Sequence, residues 1–503
     1  MGVSGLEYGP TMNCRSSLFS SLCALLVQIG CTEDQYLLSI DTDAVTPSQL
    51  HDGDSAGGRF AVAAVIDTVR VDVLSPGGAV IDTCQFFLPD RKAWPLSLGI
   101  PKSPGGQPVR LRVRGFHGRF GIPDPNAHSS TQCGGIEIAS RALTLTEPPA
   151  EVTIDRLVVL PAPTYGVMSA HAHLALSCMG VPPDFTDNTT CHRDPLRPER
   201  AEETDPAVQD SLAGTSQFSR LVPCDESFLP SLTKMTARCI PGGLSIQGEP
   251  NLAGIDDESL EPIPMRVVYL SPFYMDETEF TTERLLALKL RNSGLGSPAA
   301  KNTPDRRIYM PGFCTWEGTA SDGRLPVNCI LPTLAKELCR TDHPDGQFPT
   351  EAQWEYSAHG SGQQRSYPWG DVPASCCQAS LSRKAPPNFT FVQCPDVGPE
   401  PVRSHDGTRC AQGGDVSFDG IFDLGGSMKE MVRDGASRYA ARCGLPRFGI
   451  GINPLCPDSG GALISRGGYW NSGLVTGFAA NRRLTNFEAI SGFRCVYPGG
   501  SSR

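Results

Sequence analysis

The sequence predicts an α+β protein in which a small all-β sandwich precedes a larger mixed domain with much irregular structure. Three observations carry this. Short runs in the first third alternate apolar and polar residues. The second half contains amphipathic helices with legible start signals. Glycine and proline are abundant, at 53 and 44 of 503 residues, which divides the chain into short elements joined by turns.

The chain opens with an export signal. Leu18 to Gly30 is an apolar run of about thirteen residues preceded by Arg15, too short to span a bilayer and of signal-peptide length. It ends Ile29-Gly30-Cys31, where a small residue before cysteine matches a bacterial lipoprotein box, although Gln28 stands where an aliphatic residue is usual. Residues 1–31 are therefore expected to be a signal peptide, with Cys31 lipidated and the protein anchored in the cell envelope. Of the 19 cysteines, Cys14, Cys23 and Cys31 belong to this segment. The even number left over reads as disulfides in an exported chain. No pair of CxxC motifs has zinc-finger spacing.

Residues 32–60 are polar and Gly/Asp-rich, the composition of a tether. From 61 to 165 the period is two. Val69, Val71 and Val73 alternate with Arg70 and Asp72, and Val109, Leu111 and Val113 alternate with Arg110, Arg112 and Arg114. Such a pattern places one face of each strand inward. A small sandwich of immunoglobulin-like type follows, with Cys84 and Cys133 as a candidate bridge. The arginine row is expected on a solvated face. Residues 166–237 are Pro-rich and charged, and read as a disulfide-stapled linker whose His171, His173 and His192 lie on the surface; a metal site on them is the minority reading. The net charge of −11 excludes a nucleic-acid-binding face, which needs cations for the phosphates.

The last region spans 238–497. A strand is expected from Arg266 through Glu279. Thr281 is an N-cap for a helix over Leu285–Leu290, which stops near Asn292-Ser293-Gly294. Pro332 opens a second helix, because its missing N–H is unpaired there anyway. On that helix Leu334, Ala335, Leu338 and Cys339 cluster on one side, so Cys339 should face inward. Thr350 and Gln353 have capping-box spacing at the head of a third helix.

That third helix begins the series Phe348-Pro349-Thr350-Glu351-Ala352-Gln353-Trp354-Glu355. Further on come Tyr367-Pro368-Trp369-Gly370-Asp371, Phe422-Asp423-Leu424-Gly425-Gly426, Arg466-Gly467-Gly468-Tyr469-Trp470, Arg482-Arg483 and Gly492-Phe493-Arg494-Cys495. In this order the blocks resemble the sulfatase-modifying-factor (formylglycine-generating enzyme) family. The resemblance implies a C-type-lectin-like mixed fold. It also implies that Cys339 and Cys495 are bridged, as in many exported members.

Active members of the family bind copper on two cysteines just after the Gly-Gly block, because soft thiolate selects Cu(I). The matching positions here are Ser472 and Gly477, so no catalytic residue is expected. Calcium is the one cofactor the resemblance leaves open. The usual Gly-Asn-x-Trp-Glu-Trp block reads Gly426-Ser427-Met428-Lys429-Glu430-Met431. Glu430 is kept as a metal ligand, but a hydroxyl replaces the carboxamide and Lys429 adds positive charge, which weakens a site needing several oxygens. The iron-dependent sulfoxide-forming branch is excluded by the absence of an H-x3-H-x-E motif. The expected function is a non-catalytic binding module. A peptide or glycan would bind near Trp470, Asn471, Ser472, Gly477 and Arg482. The alternative is an oxidoreductase with altered metal or oxidant use.

Overall fold

The computed structural model describes residues 35–46, 65–88, 91–101, 106–118, 147–162, 166–202, 204–207, 210–213, 215–216, 218, 221–228, 236–249, 264–301, 311–318, 323–383, 394–437, 449–457, 463–484 and 490–500. The signal segment with Cys31, and Cys133, lie outside them. Two units appear, divided near residue 215, with 45–65 grouped with the second.

The first unit is all-β. Its strands are β1 (Gln35–Thr42), β2 (Thr68–Leu74), β3 (Val80–Phe87), β4 (Leu96–Pro101), β5 (Val109–Phe116), β6 (Ile154–Leu160), β7 (Val167–Leu174), β8 (Thr189–Thr190) and β9 (Glu199–Arg200). One sheet has the order β3-β2-β5-β6 and another β4-β1-β7. The alternating valines are buried as the period requires: Val69, Val71, Leu111 and Val113 are at most 2% exposed. The two sheets meet closely at Gly115, where a side chain would come within 3.0 Å of Leu174.

Three expectations change here. The segment read as a tether contains β1, the central strand of its sheet, pairing antiparallel with β4 and parallel with β7. Its alternation is diluted by Ser39, Asp41 and Thr42, and Asp41 is buried by accepting Ser211 and Leu212. The segment read as a linker begins with β7, and the Cys178–Cys191 bond closes the loop after it. The arginine row is not a solvated face. Arg70 and Arg114 are buried, and together with Arg112 they meet Asp72, Asp155 and Glu147. Asp72 and Asp155 come from neighbouring strands in register with these arginines, so the charges are neutralised inside the unit.

The histidines also have structural partners. Arg156 donates to the His173 carbonyl (2.8 Å), to Asp205 and to Nδ1 of His192 (2.9 Å). His192 Nδ1 also lies 3.5 Å from Asp205, so the ring is held between an arginine and a carboxylate. Among the described residues no cluster of His, Cys, Asp or Glu is arranged to hold a metal.

The second unit is α+β. Strands β10 (Ala237–Ile240), β13 (Phe273–Asp276) and β19 (Val496–Pro498) form one sheet, and β11 (Gly243–Gln247), β12 (Arg266–Leu270) and β15 (Gly451–Ile452) another. A third has the order β17 (Arg482–Leu484), β16 (Leu463–Arg466), β14 (Lys429–Gly435), β18 (Ser491–Gly492). The helices are α1 (Thr282–Arg291), α2 (Pro332–Asp342) and α3 (Glu351–Ala358). Their starts follow from local chemistry. Thr281 accepts the Arg284 N–H, Pro332 sits at the first turn of α2, and Thr350 and Gln353 close both halves of the capping box. Long loops of turns and bends join these elements, in keeping with the glycine and proline content.

Helices α1 and α2 pack on one core of Phe280, Leu285, Leu338, Phe348 and Phe493. Within it Cys339 is bonded to Cys495, with Cα atoms 5.7 Å apart. The bonds Cys224–Cys239, Cys314–Cys329, Cys376–Cys394 and Cys377–Cys410 staple the loops, and Cys84 and Cys456 are also disulfide-bonded. This cysteine usage is that of an extracellular or exported protein, and no described helix is long and apolar enough to cross a membrane.

The Cys339–Cys495 bond closes a sequence separation of 156 residues, and the chain-entropy model assigns such a loop about 4–5 kcal/mol. Cys495→Ala combined with Cys339→Ala should therefore lower the denaturant midpoint by a matching amount. An unchanged midpoint in equilibrium unfolding would remove the bond from the list of major stabilising interactions.

Candidate functional site

The centre of the second unit is set by sheet register. Glu430 on β14 pairs with Arg466 on β16, which pairs with Arg482 on β17. Directly opposed residues share a sheet face, so two arginines stand side by side and would repel if left alone. Helix α3 lies against this sheet and supplies their counter-ions. Glu351 and Glu355, four apart, share one helix face. Arg482 donates to both oxygens of Glu351 (2.6 and 3.0 Å), and Arg466 to Glu351 (3.2 Å) and Glu355 (2.6 Å). Burial alone would raise Glu355, but Arg466 and the hydrogen bond from His359 outweigh it and leave the carboxyl at about 2. Trp354, between the two glutamates in sequence, donates its indole N–H to Glu430 (2.9 Å).

Arg494 completes the arrangement from the strand-like segment after β18. It donates to both oxygens of Glu430 (2.7 and 2.5 Å) and to the Asp276 and Phe422 carbonyls (3.1 and 2.8 Å). Arg466, Arg482, Arg494 and Glu430 are all 1% exposed or less. Removing one partner of such a buried pair typically costs about 3–5 kcal/mol, because the other charge is left without compensation.

Calcium does not fit here. Both Glu430 oxygens are already donated to, by a guanidinium and an indole, and a divalent cation would sit against the Arg494 charge. Ser427, at the usual asparagine position, has φ +66°. That left-handed conformation favours asparagine over serine, so the replacement gives up both a ligand type and a backbone preference. Lys429 Nζ lies 5.9 Å from the centre of the Tyr469 ring.

The residues expected to bind ligand are drawn inward. Trp470 is fully buried against Phe313, ring centres 4.9 Å apart, beside Met428 and Ile490. It fills a core rather than roofing a groove. Arg482 belongs to the Glu351 pair described above. Ser472 accepts the Tyr469 N–H (3.0 Å) and donates back to the Tyr469 carbonyl (2.7 Å), so its hydroxyl closes a turn. Gly477 is buried, and a Cβ there would meet Leu381 at 3.0 Å and Trp369 at 3.4 Å. A cysteine at 477 would need its neighbours to move. Asn471 alone of the five is partly exposed. Neither copper thiolate is present, and the pair Ser472 and Gly477 does not fit the metal.

The glycine blocks have a packing reason. Gly468 donates its N–H to the Gly425 carbonyl (3.2 Å), and a Cβ on Gly468 would come within 2.5 Å of that oxygen. The two Gly-Gly segments therefore touch backbone to backbone.

A cluster of buried acids escaped sequence reading. Asp415 accepts the Gly425 and Gly426 N–H groups, and Asp423 accepts the Arg403 N–H (2.7 Å). Burial raises Asp415 to about 6; burial and the Asp415 charge raise Asp423 to about 7. Burial also drives Glu279 well above the carboxylate range. Beside them His405 contacts Glu400 at 2.5 Å, and this contact outweighs burial in raising His405. Asp423 lay within a quoted block, but nothing in its spacing from Glu279 or Asp415 announces that they meet.

These shifts fix a pH dependence. Asp415 and Asp423 are raised, so their contribution is complete below the unfolded carboxylate range near 4 and is lost as pH climbs through about 6 to 7. Glu355 is lowered, so its contribution is present above about 4 and lost as pH falls toward 2. Thermal midpoints should peak near pH 5 and decline toward pH 8, and Asp423→Asn should flatten the alkaline side. A wild-type midpoint that rises from pH 5 to 8 would refute the assignment.

Comparison with known proteins agrees with this construction. The description "Sulfatase-modifying factor enzyme 1-like domain" matches residues 230–498, the region that carries the arginine–glutamate network and the paired glycines. The formylglycine-generating enzyme of Streptomyces coelicolor is 24% identical over 293 residues, covering 51% of this chain and 87% of that protein. Among solved structures, PvdO from Pseudomonas aeruginosa is 18% identical with a TM-score of 0.38, covering 52% of this chain and 94% of its own. Treponema denticola variable protein 1 is 15% identical with a TM-score of 0.35, covering 52% of this chain and 95% of its own. Through its second unit the chain belongs to the sulfatase-modifying factor enzyme 1-like family.

Proposed function

We propose that this protein is an exported member of the family whose domain acts as a non-catalytic binding module for a peptide or glycan, held at the membrane by lipid on Cys31. The observation that carries the reading is at the two positions where the family resemblance implies a copper-binding cysteine pair. Ser472 spends its hydroxyl on Tyr469, and a side chain at Gly477 would require Leu381 and Trp369 to give way. Without thiolates there is no soft site for Cu(I) and no sulfur through which oxygen chemistry could pass. The scaffold around these positions is nevertheless complete, down to the buried ion pairs.

Purified protein incubated with Cu(I), a reductant, oxygen and a cysteine-containing sulfatase-type peptide should leave the peptide mass unchanged. Metal-dependent conversion of that cysteine to formylglycine would instead establish the alternative, an oxidoreductase with altered metal use. Intact-mass analysis of detergent-extracted protein should show a mature N-terminus at Cys31 carrying acyl chains, since stable anchoring takes more than one chain. An unmodified N-terminus elsewhere would sink the anchor.

A further inference from the structure

The buried arginines of the second unit are paired with carboxylates, as Arg284 with Asp276, Arg383 with Glu400 and Arg494 with Glu430. Arg433 differs. It lies on β14 between Met431 and Gly435, where the pairing register with β16 slips. Such a bulge re-aims the side chains it carries. The Arg433 N–H is spent on the Pro349 carbonyl (2.8 Å), and its guanidinium donates only to the neutral side-chain oxygen of Gln347. Its Nε is buried without a hydrogen-bond partner. The adjacent Asp434 acts on it only through space, its oxygens accepting the Glu351 and Cys456 N–H groups (2.7 and 2.8 Å). Burial outweighs that charge and lowers the Arg433 guanidinium from its ordinary value.

Arg433 lines a groove of about 270 Å³. Its walls are apolar at Pro272, Phe273 and Val496 and polar at Gln353, which also caps α3. With its Oε1 taken by the Thr350 N–H (2.9 Å), the amide NH2 is the remaining polar end of Gln353. Asp345 is the one acidic residue on the lining. None of the groove residues belongs to the 469–482 segment where the family's chemistry is expected.

A half-buried guanidinium with no carboxylate in contact keeps donors for an incoming anion. A bound carboxylate would supply two oxygens matched to the guanidinium fork, while an adjoining apolar group lies against the apolar part of the groove wall. We propose that this groove is a binding site for a small carboxylate with an apolar body, such as a peptide C-terminus or a free acylated amino acid, with Arg433 as its counter-ion. It goes beyond the function proposed above and stands without it, because the groove would bind whether or not the altered copper positions are silent.

The test uses the mature protein and two probes of equal shape, N-acetyl-leucine and its amide, in calorimetric titrations at low ionic strength. A short peptide ending in leucine, as free acid and as amide, separates a peptide end from a free acid. The free carboxylate should bind saturably in the millimolar range, at least about tenfold more tightly than the amide, a gap of about 1.4 kcal/mol. Arg433→Gln should erase the gap while leaving thermal stability equal or higher, since no carboxylate contact is lost. Arg433→Lys should retain part of it, and Asp345→Asn should widen it. Equal binding of acid and amide, no saturable binding of either acid, or a gap that survives in Arg433→Gln would overturn the site. A marked loss of stability in Arg433→Gln would make the residue structural and overturn it equally.

Discussion

Everything in the second unit is arranged around the need to neutralise arginines that the sheet register forces together. Arg466 and Arg482 oppose each other on neighbouring strands, out of water. Their repulsion is tolerable only while α3 delivers Glu351 and Glu355 from above. That requirement fixes where α3 starts, hence the capping box at Thr350 and Gln353. It also fixes which face α3 presents, and so carries Trp354 onto Glu430. Arg494 then balances Glu430 and draws the last segment of the chain into the centre. Buried ion pairs of this kind contribute little net stability but penalise any arrangement that leaves one partner alone. They select one register and one docking of the helix.

The residues that hold the centre together are distinct from those at the positions matching the family's cysteine pair. Ser472 and Gly477 sit on the turn after the touching glycine segments and take no part in the ion pairs. Small residues there let Leu381 and Trp369 close over the position. The acid cluster of Glu279, Asp415 and Asp423 accepts backbone N–H groups of Met428, Gly425 and Arg403.

In the first unit the same economy of charge operates across strands. Arg70, Arg112 and Arg114 face Asp72, Asp155 and Glu147, so an alternating pattern that resembles inward-apolar, outward-solvated strands conceals a second buried layer. Period two says which residues share a face. It does not say whether that face meets water or a loop that covers it.

Local chemistry was readable in the amino-acid sequence. The caps of α1 and α3, the proline start of α2, the inward side of Cys339 and the valine strands follow from interactions within a few residues, and they stand where the pattern put them. Order along the chain was enough to place the mixed domain in its family and to show that the copper thiols are missing. Contacts across long separations were not readable. That β1 fills the middle of a sheet, that Trp470 and Arg482 point into the core, and that Arg433 has no carboxylate in contact depend on partners more than a hundred residues away or on a register slip. Burial and charge compensation are properties of the assembled neighbourhood. The sequence alone determined the elements and the residues at the positions matching the family's cysteine pair, and tertiary packing decided which charges are paired.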